Sequence, residues 1–180
     1  MDAALTHWIN TAAGASPLLD RAMIAISQTG VPLMVLAVAL QWWSRTDRHH
    51  VRHACLSAGL SFLLGLAINQ VLLLVVHRIR PYDAGVTHLL IAPSADWSFP
   101  SDHATASMAV AAAFAMQALP RRTLALFAMA LLICWSRLHT GIHYAGDVAG
   151  GALTGFAAAA AVRLGYRENS RLDAIATRIF

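Results

Sequence analysis

The sequence predicts an all-α integral membrane helical bundle of about five transmembrane helices, with a short interfacial helix before them. Three observations predict it. Hydrophobic residues make up 58% of the chain and charged residues 12%, against roughly 25% charged in ordinary soluble domains. A chain of 180 residues cannot hide that apolar excess in one soluble core, so its solvent is a bilayer. The apolar residues fall into five runs separated by proline and glycine signals, and the arginines gather at the ends of those runs.

The elements follow in order. A short amphipathic helix spans about Ala3 to Ala13, with Leu5, Trp8 and Ile9 on one side, expected to lie on the membrane surface. The N-terminus lacks the positive segment and cleavage site of a signal peptide, so targeting is expected from the first spanning helix. The apolar runs are Ala22 to Trp43 (with a polar break at Ser27 to Gly30), Ala54 to Val76, Ala104 to Leu119, Thr123 to Trp135 and Ala145 to Val162. About 20 residues span a bilayer's hydrocarbon, so the shorter third and fourth runs place their polar ends near the interface. Helix breaks are expected at Ser16-Pro17, Gly30 with Pro32, Pro81, Pro93, Pro100, Pro120 and Thr140-Gly141. No repeat or long linker divides the chain, so residues 1–180 are expected to form a single membrane-embedded domain.

Gly146, Gly150, Gly151 and Gly155 give the last helix two overlapping small-xxx-small pairs, which let helices approach closely in lipid. That helix is expected to be central. Cys55 and Cys134, inside apolar runs, read as small core residues rather than a disulfide. All 13 basic Lys/Arg residues are arginine. They are not interleaved with exposed aromatics, which argues against nucleic acid as a partner. Nine of them (Arg45, Arg48, Arg52, Arg121, Arg122, Arg163, Arg167, Arg171 and Arg178) fall on one side and Arg21, Arg78, Arg80 and Arg137 on the other. By the positive-inside rule the C-terminal tail is cytoplasmic, and "HHVRH" at His49 to His53 reads as a solvated loop there.

Three polar stretches then face outward, to the periplasm: "HRIRPYD", "WSFPSDHATAS" and "SRLHTGIHYAGD". Each sits at a helix end, so groups far apart in sequence can come within about a helix diameter, ~10 Å. They collect Arg78, Arg80, Ser101, Asp102, His103, Ser136, Arg137, His139, His143 and Asp147. Ionisable residues at membrane depth are functional candidates by default. Arg80 and Arg137 carry planar donor forks suited to phosphate oxygens, although interfacial arginines also contact lipid headgroups. Two helices begin here, and their free N–H groups favour an anion. His143 and Asp147, four residues apart, are expected on one helical face, where the carboxylate would fix the ring's tautomer and make its other nitrogen the nucleophile. His103 would supply the proton that a phosphate-ester leaving group needs. Two rivals are weaker. His139, His143 and Asp147 could form a metal triad, but Thr140-Gly141 interrupts the helix and the arginines repel a cation. Ser101 could serve as a hydrolase nucleophile, but no Gly-x-Ser-x-Gly elbow is present.

Arg80-Pro81, "PSDH" at Pro100 to His103, and "SRLHTGIHYAGD" at Ser136 to Asp147 resemble the three signature motifs of the type 2 phosphatidic acid phosphatase superfamily. The third motif, Ser-Arg-x5-His-x3-Asp, is matched completely. In the second, Asp102 replaces a glycine; in the first, Leu73 stands where a lysine is usual. The resemblance implies a metal-independent phosphatase with no cofactor, working in two steps through a phosphohistidine. His143 would attack phosphorus, Asp147 would orient it, and His103 would protonate the leaving oxygen. Arg80, Arg137 and Ser101 would hold the phosphoryl oxygens, with Ser136 among the phosphate contacts. Arg78 is expected to replace the missing lysine, with His77 assisting, and Asp102 to pair with Arg78 or Arg80 or to accept from a helix N–H. The short "FPSDH" members resemble undecaprenyl pyrophosphate phosphatases, which implies an isoprenoid diphosphate as substrate and the bilayer as setting. Phosphatidic acid, phosphatidylglycerophosphate and lipid A phosphate are the alternatives within the enzyme class; a non-catalytic lipid-binding protein is the alternative outside it.

Overall fold

The structure, a computed structural model, describes residues 1–178; Ile179 and Phe180, the end of the expected domain and cytoplasmic tail, lie outside the described residues. The helices are α1 (Asp2–Asn10), α2 (Pro17–Leu40), α3 (Arg48–Val75), α4 (Asp102–Ala115), α5 (Pro120–His139), α6 (Ala145–Gly165) and α7 (Arg171–Ala176), with a 3₁₀ turn Gln41–Trp43 after α2. The chain is an all-α membrane bundle. Three helical stretches are long and apolar enough to cross a bilayer: Pro17–Trp43, Arg48–Val75 and Ala145–Gly165. At 14 residues, α4 is about 21 Å long and shorter than the hydrocarbon. Its neighbour α5 turns Leu124, Leu131, Leu132 and Trp135 outward.

The central helix is α4, not α6 as the glycines suggested. Ala104, Ala109, Ala111, Ala112 and Phe114 are fully buried, and α6, α3 and α5 pack around them. Alanine suits this position because every face of α4 meets another backbone at short range. One side of α6 remains exposed, at Leu153, Phe156 and Leu164. Its glycines do what close packing requires. A Cβ at Gly151 would collide with the Ser101 carbonyl, and one at Gly155 with the Thr105 carbonyl.

Three other expectations are corrected. The proposed break at Gly30 and Pro32 is absent: α2 runs through both. Proline removes one backbone donor but can be carried within a membrane helix, and Gly30 is needed for contact, since a Cβ there would lie 2.7 Å from Ile133 Cγ1 of α5. In α1, Leu5 and Trp8 are exposed but Ile9 is buried, in a cluster with Ala104, Cys134, Leu138 and Val148. That helix is fastened to the bundle and does not merely float on lipid. His49 to His53 form the first turns of α3 rather than a solvated loop. His53 donates from Nδ1 to Asp173 at 2.7 Å, and Tyr166 Oη gives Asp173 a second bond at 2.7 Å. Arg52 reaches the carbonyls of Thr177 (2.7 Å) and Trp42 (3.2 Å). These bonds dock α7, a helix not expected from the sequence, against the start of α3. Cys55 and Cys134 are buried and free.

Candidate active site

The opposite end of α3 leads into the long loop 76–101, and this loop closes over the start of α4, the end of α5 and the start of α6. Together they enclose a cavity of about 120 Å³ whose walls include Arg80, Asp102, His103, Arg137 and His143, with Leu73 on the α3 side. The three sequence motifs thus converge, as their positions at helix ends required.

His143 stands before α6 rather than on it. After α5, Thr140 and Gly141 turn the chain; Gly141 adopts φ +76, and the His88 carbonyl lies where a Cβ would project. Tyr144 is the N-cap of α6, and Asp147 Oδ2 accepts its backbone N–H at 2.9 Å. The expected i,i+4 pairing on one helical face is therefore replaced by a looser contact, 3.6 Å from His143 Nδ1 to Asp147 Oδ2. The ring is oriented by the Ser98 carbonyl, 2.9 Å from Nδ1. A carbonyl can only accept, so Nδ1 carries the proton and Nε2 keeps its lone pair. Burial lowers the pKa of His143 to about 4; Arg137 and Arg80 push the same way while Asp147 opposes them. The imidazole is neutral at physiological pH.

Asp147 is fully buried and multiply held. Besides the Tyr144 N–H, it accepts from Ser98 Oγ at 2.5 Å and from Arg78 Nη1 at 2.8 Å. Ser98 thereby serves both partners, its carbonyl on His143 and its hydroxyl on Asp147. Nothing in the motif spacing distinguished Ser98, although it lies two residues before Pro100.

The two phosphate-fork arginines are buried and aimed mainly by backbone carbonyl and hydroxyl oxygens. Arg80 donates to the carbonyls of Asp96 (2.9 Å), Ile142 (3.1 Å) and Trp97 (3.3 Å), and Asp96 Oδ1 lies 3.4 Å from Nη2. The Ser94 hydroxyl, assisted by Arg80, holds the Asp96 carboxyl below the usual carboxylate range despite partial burial. Arg137 Nη1 donates to the Ser27 hydroxyl of α2, while its Nε is buried without a partner. Ser27 was legible only as a polar break in an apolar run; its burial against Arg137 explains it.

Several expected contacts are not made. Arg78 pairs with Asp2 at 2.5 Å as well as with Asp147, and its guanidinium stacks 3.9 Å over the Tyr144 ring. It stands behind the carboxylate instead of replacing the lysine in the cavity. Burial opposes its charge, and the two carboxylates more than offset that, raising its pKa. His77 packs against Trp97. Ser136 bonds its own helix, through Oγ to the Ile133 carbonyl at 2.7 Å, and does not line the cavity. Ser101 Oγ is buried with no partner, which also leaves it without an imidazole to activate it as a nucleophile. Asp102 pairs with neither arginine: Asn69 Nδ2 donates to its Oδ1 at 2.7 Å and to Thr105 Oγ1 at 2.8 Å.

Of the two helix N-termini expected to receive an anion, that of α6 is already occupied. Asp2 Oδ1 accepts from Gly146 N at 2.8 Å and Thr6 Oγ1 from Ala145 N at 2.9 Å. The N-cap of α4, Ser101, makes no side-chain cap bond, so the α4 terminus is the open one. The side chains of the metal-triad alternative are separately engaged: His139 Nε2 pairs with Asp20 at 2.8 Å while His143 turns to Ser98. Among the described residues no three His, Cys, Asp or Glu groups are placed to hold a metal ion.

Comparison with known proteins agrees with this constellation. Residues 54–171 match the PAP2 superfamily. The chain is 34% identical over 137 residues to undecaprenyl-diphosphatase BcrC of Bacillus subtilis, spanning 74% of this chain and 67% of that one. The crystal structure of a transmembrane PAP2 type phosphatidylglycerolphosphate phosphatase from Bacillus subtilis superposes with a TM-score of 0.68 at 25% identity, covering 93% of this chain and 87% of that one. Aquifex aeolicus LpxE shares the fold, with a TM-score of 0.66 at 24% identity over 90% of this chain and 93% of its own. Given a matched span that contains all three motifs, the chain belongs to the PAP2 superfamily, as a multi-pass membrane hydrolase of lipid phosphates related to the bacterial undecaprenyl-diphosphatases.

Proposed function

We propose that this protein hydrolyses undecaprenyl diphosphate to undecaprenyl phosphate and inorganic phosphate at the outer face of the cytoplasmic membrane, through a phosphohistidine and without a metal. The observation that carries the reading is that two histidines and two buried arginines line one small cavity, beside which His143 keeps Nε2 unprotonated. In this reading α2 to α6 all cross the bilayer, residues 1–180 act as one domain, and the arginine-rich end is cytoplasmic.

Nε2 of His143 attacks the terminal phosphorus as the bond to the bridging oxygen breaks. His103, charged when the anionic diphosphate beside it offsets the arginines, gives its proton to that oxygen, releasing the lipid monophosphate. Arg80, Arg137 and the Ser101 hydroxyl hold the equatorial oxygens; preorganised donors of this kind contribute the largest share of the barrier lowering. Asp147 balances the positive charge that appears on the phosphorylated ring. Water then attacks phosphorus, His103 takes the water's proton, and the N–P bond breaks to release phosphate.

The substrate choice is supported by the 34% identity to BcrC. The likeness to the Bacillus subtilis phosphatidylglycerolphosphate phosphatase supports a glycerophospholipid monophosphate as a second reading. Purified protein in EDTA, offered each lipid separately, separates them by phosphate release. Faster turnover of phosphatidylglycerophosphate would overturn the diphosphate reading. Undiminished turnover by His143→Ala would remove the phosphohistidine, and dependence on added metal would remove the metal-free scheme.

A further inference from the structure

A buried carboxylate that must balance charge on His143 should itself be held in place, and Asp147 is held partly from outside the family motifs. Arg78 is shared by two acids, Asp147 at 2.8 Å and Asp2 at 2.5 Å. Asp2 is divided in turn: Oδ2 takes Arg78, and Oδ1 takes the Gly146 N–H at 2.8 Å. Thr6, one turn further along α1, receives the Ala145 N–H. The start of α1 is thus strapped across the first turn of α6, three residues from His143. Gly146 makes this possible, because a Cβ there would lie 2.7 Å from Asp2 Oδ2 and 3.2 Å from Arg78 Nη1. None of α1 lies within the family-matched span 54–171.

We propose that Asp2 is a positioning residue for the phosphatase reaction, acting through Arg78 on Asp147. The proposal rests on the reading of His143 as nucleophile. Sharing the guanidinium between two acids keeps Arg78 from neutralising Asp147 outright, so Asp147 retains negative charge for the ring beside it. It also fixes the carboxylate from the side opposite Ser98. Removing the Asp2 charge would leave Asp147 as the acid paired with Arg78 and draw it toward that pair.

The test uses the full chain in detergent, with phosphate release from undecaprenyl diphosphate measured against pH for Asp2→Asn, Asp2→Glu, Arg78→Gln and the Asp2→Asn/Arg78→Gln double variant. Asparagine keeps an acceptor for the Gly146 N–H and so preserves the helix cap. The other charged and titratable groups facing His143, namely Asp147 on α6, Arg137 on α5, Arg80 in the loop and His103 on α4, stay unchanged. We expect kcat of Asp2→Asn to fall about tenfold with little change in KM. Its acid limb should move to lower pH, because less negative charge makes the imidazolium harder to form. Asp2→Glu should restore most of the rate, and Asp2→Asn should cost nothing further in the Arg78→Gln background. Wild-type kcat and an unmoved pH profile in Asp2→Asn, or the same loss in both backgrounds, would overturn the proposal. His143→Ala, assayed alongside, separates the two failures: if it is inactive while Asp2→Asn is normal, only the role of Asp2 falls; if it is active, the underlying reading falls and takes the proposal with it.

Discussion

Both ends of the bundle bury a histidine against an aspartate, yet the two pairs are built for different ends. At the α7 end, His53 uses both ring nitrogens: Nδ1 donates to Asp173 at 2.7 Å, and Nε2 accepts from Gln117 at 3.2 Å. The ring also stacks on Tyr166, with centroids 4.9 Å apart. At the motif end, His143 commits Nδ1 to a backbone carbonyl and turns Nε2 toward a cavity shared with Arg80 and Arg137. The tighter histidine–aspartate contact is the structural one. On the proposed reading, reactivity follows from a nitrogen left unoccupied beside cationic donors, not from the closeness of the carboxylate.

The largest effect that could break this contrast comes from His143→Ala. We expect phosphate release to drop by roughly 1,000-fold or more with the unfolding midpoint in detergent almost unchanged, since a nucleophile is not what holds the helices. The mirror experiment is His53→Ala, which removes one of the hydrogen bonds on the buried Asp173 carboxylate and leaves those from Tyr166 and Asn169. It should cost about 2 kcal/mol of stability, read by thermal or denaturant unfolding, while turnover per folded molecule holds. A His53 variant that is stable but inactive would erase the distinction between the two ends.

Smaller changes sharpen it. Ser98→Ala keeps the carbonyl that sets the His143 tautomer but deletes the hydroxyl bond to Asp147. With Asp147 held less firmly beside the ring, a loss of roughly 1.4 kcal/mol of transition-state stabilisation should lower kcat about tenfold without a change in which ring nitrogen is protonated, as nitrogen-15 chemical shifts would report. The smallest effect at neutral pH is the titration of His143 itself. Its pKa sits near 4 against an ordinary 6.5, so the acid limb of kcat/KM should lie well below 6.5. Between those values the unfolded chain binds the additional proton. This group's share of stability is therefore complete above pH 6.5 and declines as pH falls toward 4, a slope that Asn at position 143 should remove.

What the sequence made legible was whatever sits at a helix end. Arg80, His103, Arg137, His143 and Asp147 adjoin helix-breaking residues, so topology alone brought them to one place. The helical runs were equally readable, since lipid demands apolar surface. Illegible were the partners chosen by packing across long separations. Ser27 and Arg137 lie 110 residues apart, and Asp2 and Gly146 lie 144 apart. Arg78 shows the same limit: two carboxylates, one delivered by α1, pair with it, and neither was legible in the motif. Asn69, polar inside the apolar α3, and Ser27, polar inside α2, carried the one usable signal. A polar residue in a membrane run implies a buried partner, and Ser27 and Asn69 each have one at the site, Arg137 and Asp102.

The alanines of α4 have a consequence for the chemistry. This helix carries His103 at its first turn and lies between α5 and α6, which touch each other only slightly, so its thickness is the gauge that spaces Arg137 at the end of α5 from the start of α6. Methyl side chains make that gauge nearly as thin as a helix can be. Adding two methyls at a single position well below the cavity, as Ala109→Val would, wedges the surrounding helices apart at a site where nothing reacts. The histidine carried on the wedge and the histidine beyond it would then be out of reach for a proton and a phosphoryl group that must move together.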